Sequence, residues 1–325
     1  NTTGASNVAL GFEALKANTT ADNNISIGHQ SGLTTTTGTR NIGIGRGTLY
    51  TNNTNDNVAI GHTSQLYTSS GANNTSVGSC ALQNNTTASN NTAVGMNTLI
   101  ANTTGENNIA IGSCSMLNTT TGSANISIGK VAMCVNTEGD NNTAIGHIAL
   151  RANTTADNNT AIGYSALTAN TTGAENVAIG SQALSSITTQ GLTTAVGTCA
   201  LKNTTGAQNT GFGYKALTTN SSGQCNTALG LCALTANTSA SYNTAVGHSS
   251  MLKTTTGFAN TAIGLFSMAC NTEGDASVAI GYESLLNNTT ADNNIAIGCK
   301  AMRANTTGHS NTAIGTLALD ANTTG

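Results

Sequence analysis

Nineteen times this chain runs through one short phrase, Asn, a β-branched residue, a small residue and an aliphatic, and closes it on a glycine: Gly11, Gly28, Gly45, Gly61, Gly78, Gly95, Gly112, Gly129, Gly146, Gly163, Gly180, Gly197, Gly213, Gly230, Gly247, Gly264, Gly281, Gly298 and Gly315. Sixteen of the eighteen intervals are 17 residues and two are 16. One structural unit is therefore copied from end to end. Seventeen residues cannot bury a face alone, so each unit must stack on the next as a coil of a solenoid.

The residue before each glycine is Ile, Val, Leu or Phe, as at Ile27, Val94, Ile145, Phe212 and Ile314, and the residue three before it is Val, Ile or Thr. Ala, Ser or Gly sits between them. This alternation with period two is the pattern of a strand that buries one face. Alternation leaves the choice of face open: if the small residue points outward, chains could pack on a smooth stripe, and if it points inward the aliphatics become the interface. Four residues after the glycine comes Leu or Met in seventeen coils (Leu15, Leu82, Met116, Leu150, Met268, Leu319), slipping one place to Leu33 and Leu66 in the other two. This segment is expected to be a second short strand or arc supplying the other wall of a thin core.

The rest of each coil reads Asn-Thr-Thr-Gly or Asn-Thr-Thr-Ala. Gly permits positive φ and Asn and Thr can bond their own backbone, so this is a turn. The acids Asp22, Glu106, Asp140, Asp157, Asp275 and Asp292 gather there, which places it in water. A helix needs a 3.6-residue period and tolerates β-branched, Gly-rich sequence poorly. The expected fold class is all-β, a parallel β-solenoid (β-roll or β-helix) of about 19 coils with a 17-residue period, its strands ~4.8 Å apart and the rod roughly 90 Å long.

Residues 1–325 are expected to form a single continuous repeat domain, a segment of a longer chain that starts and stops in the same phase. A longer repeat overlies the short one. Asn18-Thr-Thr-Ala-Asp-Asn-Asn returns at Asn153 and Asn288, and Asn136-Thr-Glu-Gly-Asp at Asn271, each 135 residues on. That is an eight-coil block, and growth by whole blocks favours a spacer or fibre over a fixed active site.

The Asn four before the glycine recurs at Asn7, Asn24, Asn41, Asn57, Asn74, Asn91, Asn108, Asn125, Asn142, Asn159, Asn176, Asn209, Asn226, Asn243, Asn260, Asn294 and Asn311, replaced only by Thr193 and Ser277. Stacked at one level, these are expected to form an amide ladder that locks the register.

Asn159-Thr-Ala-Ile-Gly-Tyr-Ser-Ala-Leu-Thr-Ala-Asn-Thr-Thr-Gly resembles the repeats of bacteriophage tail-fibre-like proteins and, more distantly, the head repeats of trimeric autotransporter adhesins. The resemblance covers the whole chain. It implies a left-handed parallel β-roll that trimerises and binds host surfaces. The enlarged Asn-Thr-Thr turn departs from the shorter adhesin repeat, and no catalytic residues carry over.

Charged residues are 7% and aromatics 3%, with no Trp or Pro. The strict aliphatic register excludes disordered low complexity. A net charge of -3 with no basic stripe argues against nucleic acid as a partner, and no apolar run approaches the ~18 residues of a membrane span. Cys80, Cys114, Cys199 and Cys232 lie two after a glycine, while Cys134, Cys225, Cys270 and Cys299 occupy other phases. The nearest same-phase pairs are two coils apart, roughly 9.6 Å, beyond the ~7 Å reach of a disulfide. His29, His62, His147 and His248 follow a glycine but never in adjacent coils, so no metal site or cofactor is expected. Asp140 with Asp157, and Asp275 with Asp292, share a phase in neighbouring coils, yet paired carboxylates for glycoside hydrolysis also need a cleft.

In the turn, Asn-x-Thr/Ser recurs at Asn1, Asn18, Asn52, Asn85, Asn102, Asn153, Asn170, Asn220, Asn237, Asn288, Asn305 and Asn322, with Asn118 and Asn203 one place off phase. These fit the N-glycosylation acceptor in an exposed loop; the same residues are also plain turn chemistry. Thr75, Thr92, Thr143, Thr160, Thr210, Thr227, Thr244, Thr261 and Thr312 share one strand position, but Val or Ile interrupts them, which suits an interface better than an ice plane. The sequence reading is thus a non-enzymatic structural fibre, extracellular, on a cell surface or on a virion. Self-association is expected, as a homotrimer by resemblance, and the turns are candidate sites for covalent glycans. A receptor-binding tail-fibre or adhesin segment is the alternative, with an ice-binding protein after it.

Overall fold

The computed structural model describes residues 1–325. It holds nineteen three-residue strands, from β1 (Val8–Leu10) to β19 (Thr312–Ile314), with no helix and every pairing parallel. The chain is an all-β parallel solenoid with 17-residue coils. It divides into two compact units, Asn1–Asn159 with strands up to β9 (Thr143–Ile145), and Thr160–Gly325 from β10 (Thr160–Ile162) onward.

Pairing is like with like. In the first unit Val8 faces Ile25, Ala9 faces Ser26 and Leu10 faces Ile27; in the second Thr244 faces Thr261 and Val246 faces Ile263. The 16-residue coils keep this register, Ile42 opposite Val58 and Thr194 opposite Thr210. Their missing residue comes out of the turn: Asn52 Nδ2 donates to the carbonyl of Thr54, two residues on, where Asn18 reaches Ala21, three on.

The small residue of each strand points inward. Ala93, Ala110, Ala144, Ala195, Ala262 and Ala279 are fully buried, and the aliphatics on either side are half-buried or exposed. The reason lies in the Leu after the glycine. A Cβ added at Gly211 would sit 3.1 Å from Leu201 Cδ1, so the Leu or Met rank fills the interior and leaves room only for Ala, Ser or Gly behind it. That rank, including Leu82, Leu99, Met116, Met133 and Leu150, is buried in every coil but the last, where Leu319 is exposed.

The arc carrying the Leu is a turn rather than a second strand. The second and fourth residues after the glycine are left-handed in every coil, as at Cys80 (φ 58°) and Leu82 (φ 51°). Its amides point alternately to the two neighbouring coils: Cys80 N–H donates to His62 O and Leu82 N–H to Thr98 O. Leu33 and Leu66 do not take the core slot, because one step along the arc turns a side chain over. Gly32 and Gln65 occupy it, and Leu33 and Leu66 are half-buried at the surface. Gln65 Nε2 donates to Ser76 Oγ at 2.8 Å and to the Val58 carbonyl at 2.9 Å.

The closing glycine is required by geometry. At Gly247 φ is +131°, and a Cβ would lie 2.5 Å from the carbonyl oxygen of Gly264 in the next coil.

Candidate functional site: coil-to-coil ladders and the outer strand face

Four ranks of polar side chains tie each coil to the next. The first is the Asn four before the glycine. Asn125 Oδ1 accepts from the backbone N–H of Asn142 at 2.9 Å, and Asn125 Nδ2 donates to the Gly139 carbonyl at 2.8 Å. In the second unit Asn260 accepts from Ser277 N–H at 2.9 Å and donates to Gly274 O at 2.7 Å. The bonding is mainly amide to backbone, with amide-to-amide contacts at a few steps such as Asn226 to Asn209, 3.1 Å. Each buried amide thus satisfies a backbone N–H and a backbone C=O that the strand ladder leaves over.

The second rank is the turn Asn, seven residues after the glycine, and it lies inside. Asn102 Nδ2 donates to Asn85 Oδ1 at 2.9 Å and to the Gly105 carbonyl at 3.0 Å; Asn237 does the same to Asn220 and Ala240. Asn18, Asn52, Asn85, Asn102, Asn153, Asn170, Asn220, Asn237, Asn288 and Asn305 are all buried. At these ten positions the side chain is buried in the stack, where the acceptor reading expects an exposed loop. Asn1 is exposed and Asn322 half-buried, both in terminal coils, and the off-phase Asn118 and Asn203 are exposed.

The third rank is the Thr that follows. Thr103 Oγ1 donates to Thr120 O at 3.0 Å, and Thr255 Oγ1 to Thr272 O at 3.1 Å. The fourth consists of the turn acids and the Ser residues that replace them. Asp140 Oδ1 accepts from Ser123 N–H and Asp157 Oδ1 from Asp140 N–H, both at 2.7 Å; Asp275 and Asp292 accept from Phe258 and Asp275 at 2.8 Å. Where Ser123 stands in this rank, its Oγ accepts from Glu106 N–H. The same-phase carboxylates are therefore tied to backbone rather than projecting freely from the turn.

The remaining candidates do not converge. The four post-glycine histidines are exposed, with His29 stacked on Phe12 (centroids 5.2 Å apart) and His248 edge-on to Phe266 (5.6 Å). No three His, Cys, Asp or Glu side chains come together. All eight cysteines are free thiols, seven half-buried and Cys299 exposed, and burial pushes the Cys134 thiol above its ordinary value. Among the ion pairs that bridge coils at the surface, Arg40 grips Asp56 through Nε (2.7 Å) and Nη2 (2.8 Å), and that hydrogen bond holds the Asp56 carboxyl below the usual range. Glu13 is lowered by hydrogen bonds from Gln30 and Lys16.

The outer face of the strands is of another kind. Ile111, Ile128, Ile179, Leu229 and Ile263, each just before its glycine, are exposed. Neither this position nor the one two before it carries a charge in any of the nineteen coils. The residue after the glycine extends the face with Phe12, Met96, Tyr164, Tyr214, Leu231 and Tyr282, all exposed.

No protein-family model matches the chain, and no curated protein matches it.

Proposed function

We propose that this chain is a non-enzymatic structural protein, the shaft of a filament outside the cell or on a virion. The observation that supports this reading is the uniform use of polar side chains. Along both units two ranks of Asn and one of Thr, joined in part of the coils by Asp or Ser, are committed to holding the next coil in register. Chemistry at a site asks for a few unlike residues at one level, whereas a shaft asks for the same bonds at all of them. A stack of this kind carries load through many parallel, nearest-neighbour interfaces.

Cryo-electron microscopy of the full-length protein tests the reading. Straight rods with an axial repeat of ~4.8 Å per coil are the expected result. Particles without that repeat, or cleavage of a polysaccharide by the purified protein, would overturn it.

A further inference from the structure

We propose that two copies of this chain pack side by side through the outer faces of their strands. The inference rests on the shaft reading and names its partner as a second copy. Parallel sheets are ordinarily covered on both faces, and this one is covered on the inner face only. The two outward ranks of each strand hold Ile, Val, Leu, Phe and Thr alone. The third rank, after the glycine, is a mixed margin: Phe12, Met96, Tyr214 and Tyr282, types enriched where proteins meet, alternate with His29, Ser79, Arg46, Lys130 and their like. On the other side the face ends in exposed Asn23, Asn90, Asn107 and Asn141. An apolar centre between polar margins is the anatomy of an interface.

The area suffices. Nine or ten coils per unit at ~4.8 Å make a face about 45 Å tall, and three ranks two residues apart make it about 20 Å wide, so each unit offers roughly 900 Å². A stable interface takes ~800 Å² from each partner, apolar centre and polar margin together.

The period selects the partner. Side chains stand along the face in rows one coil apart, and the surface that meshes with them row for row is another face of the same spacing. The number of copies follows from the count of faces. One self-complementary patch is closed by one partner, whereas a threefold ring needs two different patches on each copy. The wall carrying the turns presents exposed Thr87, Thr104, Thr121 and Glu138, and on the arc wall the half-buried Leu33, Ile100 and Leu117 share their position with Lys16, Gln83 and Arg151, so neither offers a second uncharged apolar face.

Sedimentation equilibrium and mass photometry of the full-length protein supply the test. The wild type is expected at twice the chain mass. Ile128→Thr with Ile263→Thr places on this face a residue that it already carries two positions away, and should raise the dissociation constant at least tenfold with an unchanged circular dichroism spectrum. Ile111→Lys, Ile128→Lys and Ile263→Lys together should leave single chains. Thr121→Lys with Thr256→Lys, on the turn wall, should leave the pairs intact. A wild type of one-chain or three-chain mass, Thr variants that pair as tightly as the wild type, or pairs lost in the turn-wall variant would each overturn the proposal. Single chains that still form stacks with the ~4.8 Å axial repeat would sink the pairing alone. Loss of that repeat in the wild type would sink the shaft reading.

Discussion

The turn-Asn rank is broken by Thr35, Thr68 and Thr119 in the first unit and by Ile187, Thr204 and Thr254 in the second; the breaks at Thr119 and Thr254 are alike, and repairing either should stabilise the fold. Asn102 Oδ1 and Thr119 Oγ1 are buried without hydrogen-bond partners, and so are Asn237 Oδ1 and Thr254 Oγ1, 135 residues on. At intact steps the next Asn supplies the donor, as Asn153 Nδ2 does to Asn136 Oδ1 at 2.9 Å. Thr119→Asn places an amide at that level, between Asn102 and Asn136. It gives Asn102 Oδ1 a donor and removes the orphaned hydroxyl. A buried unsatisfied acceptor costs about 1–3 kcal/mol, so the gain should be of that size. In a cooperative unit of this length it corresponds to a rise in midpoint of about 3–9 °C. Because coils couple only to their neighbours, the sharper readout is native-state hydrogen exchange. Amides of the coils around residue 119 should slow by about 5- to 150-fold at fixed pH, with distant coils unchanged. Thr119→Val removes the orphaned hydroxyl but leaves Asn102 Oδ1 unanswered, and should recover less. Protection that is unchanged in the Asn variant, or equal gains from Val and Asn, would refute the reasoning.

Three further outcomes are expected. Asn260→Ala strands the Ser277 N–H and the Gly274 carbonyl and should cost about 2–6 kcal/mol, whereas Asn260→Ser should cost about half as much, because Ser277 in the same rank already accepts from Asn294 N–H; denaturant titration with exchange at residue 277 distinguishes them. Gly247→Ala combines a φ of +131° with a Cβ 2.5 Å from Gly264 O, so limited proteolysis should cut preferentially at the flanking turns, and an unchanged digestion pattern would count against the close approach. Thiol labelling at pH 8 should reach exposed Cys299 first and Cys134 last, since burial raises the Cys134 pKa and leaves less of the reactive thiolate at a given pH; raising the pH should narrow the gap.

The period and the closing glycine made the solenoid legible in the sequence, because few other architectures place Gly at a fixed interval between aliphatics. The direction of the strand was not legible. Alternation at Thr261, Ala262 and Ile263 fits either face, and only the bulk of the neighbouring Leu or Met rank decides it. The turn Asn was hidden by a coincidence of chemistry, since Asn-Thr-Thr-Gly is at once a good turn, an acceptor sequence and an inner ladder. Phase does not separate them, because exposed Thr87, Thr104 and Thr121 recur nine residues after the glycine as regularly as Asn18, Asn85 and Asn102 recur seven after it; burial does. Leu33 and Leu66 misled for the related reason that neighbouring residues of the arc point to opposite sides.

The left-handed residues set the terms on which such a stack can form. Besides the two in the arc, each coil has a third just before its ladder position, as at Asn90 and Asn107. For residues other than glycine each costs roughly 1–2 kcal/mol, so a lone coil begins several kcal/mol in deficit and has no neighbour to offset it. Once two coils are in contact, every further coil meets a finished template of donors and acceptors. Assembly of this kind behaves like crystal growth, with a rare first event followed by easy addition at an existing end. Refolding from denaturant should accordingly show a lag that pre-folded fragments abolish.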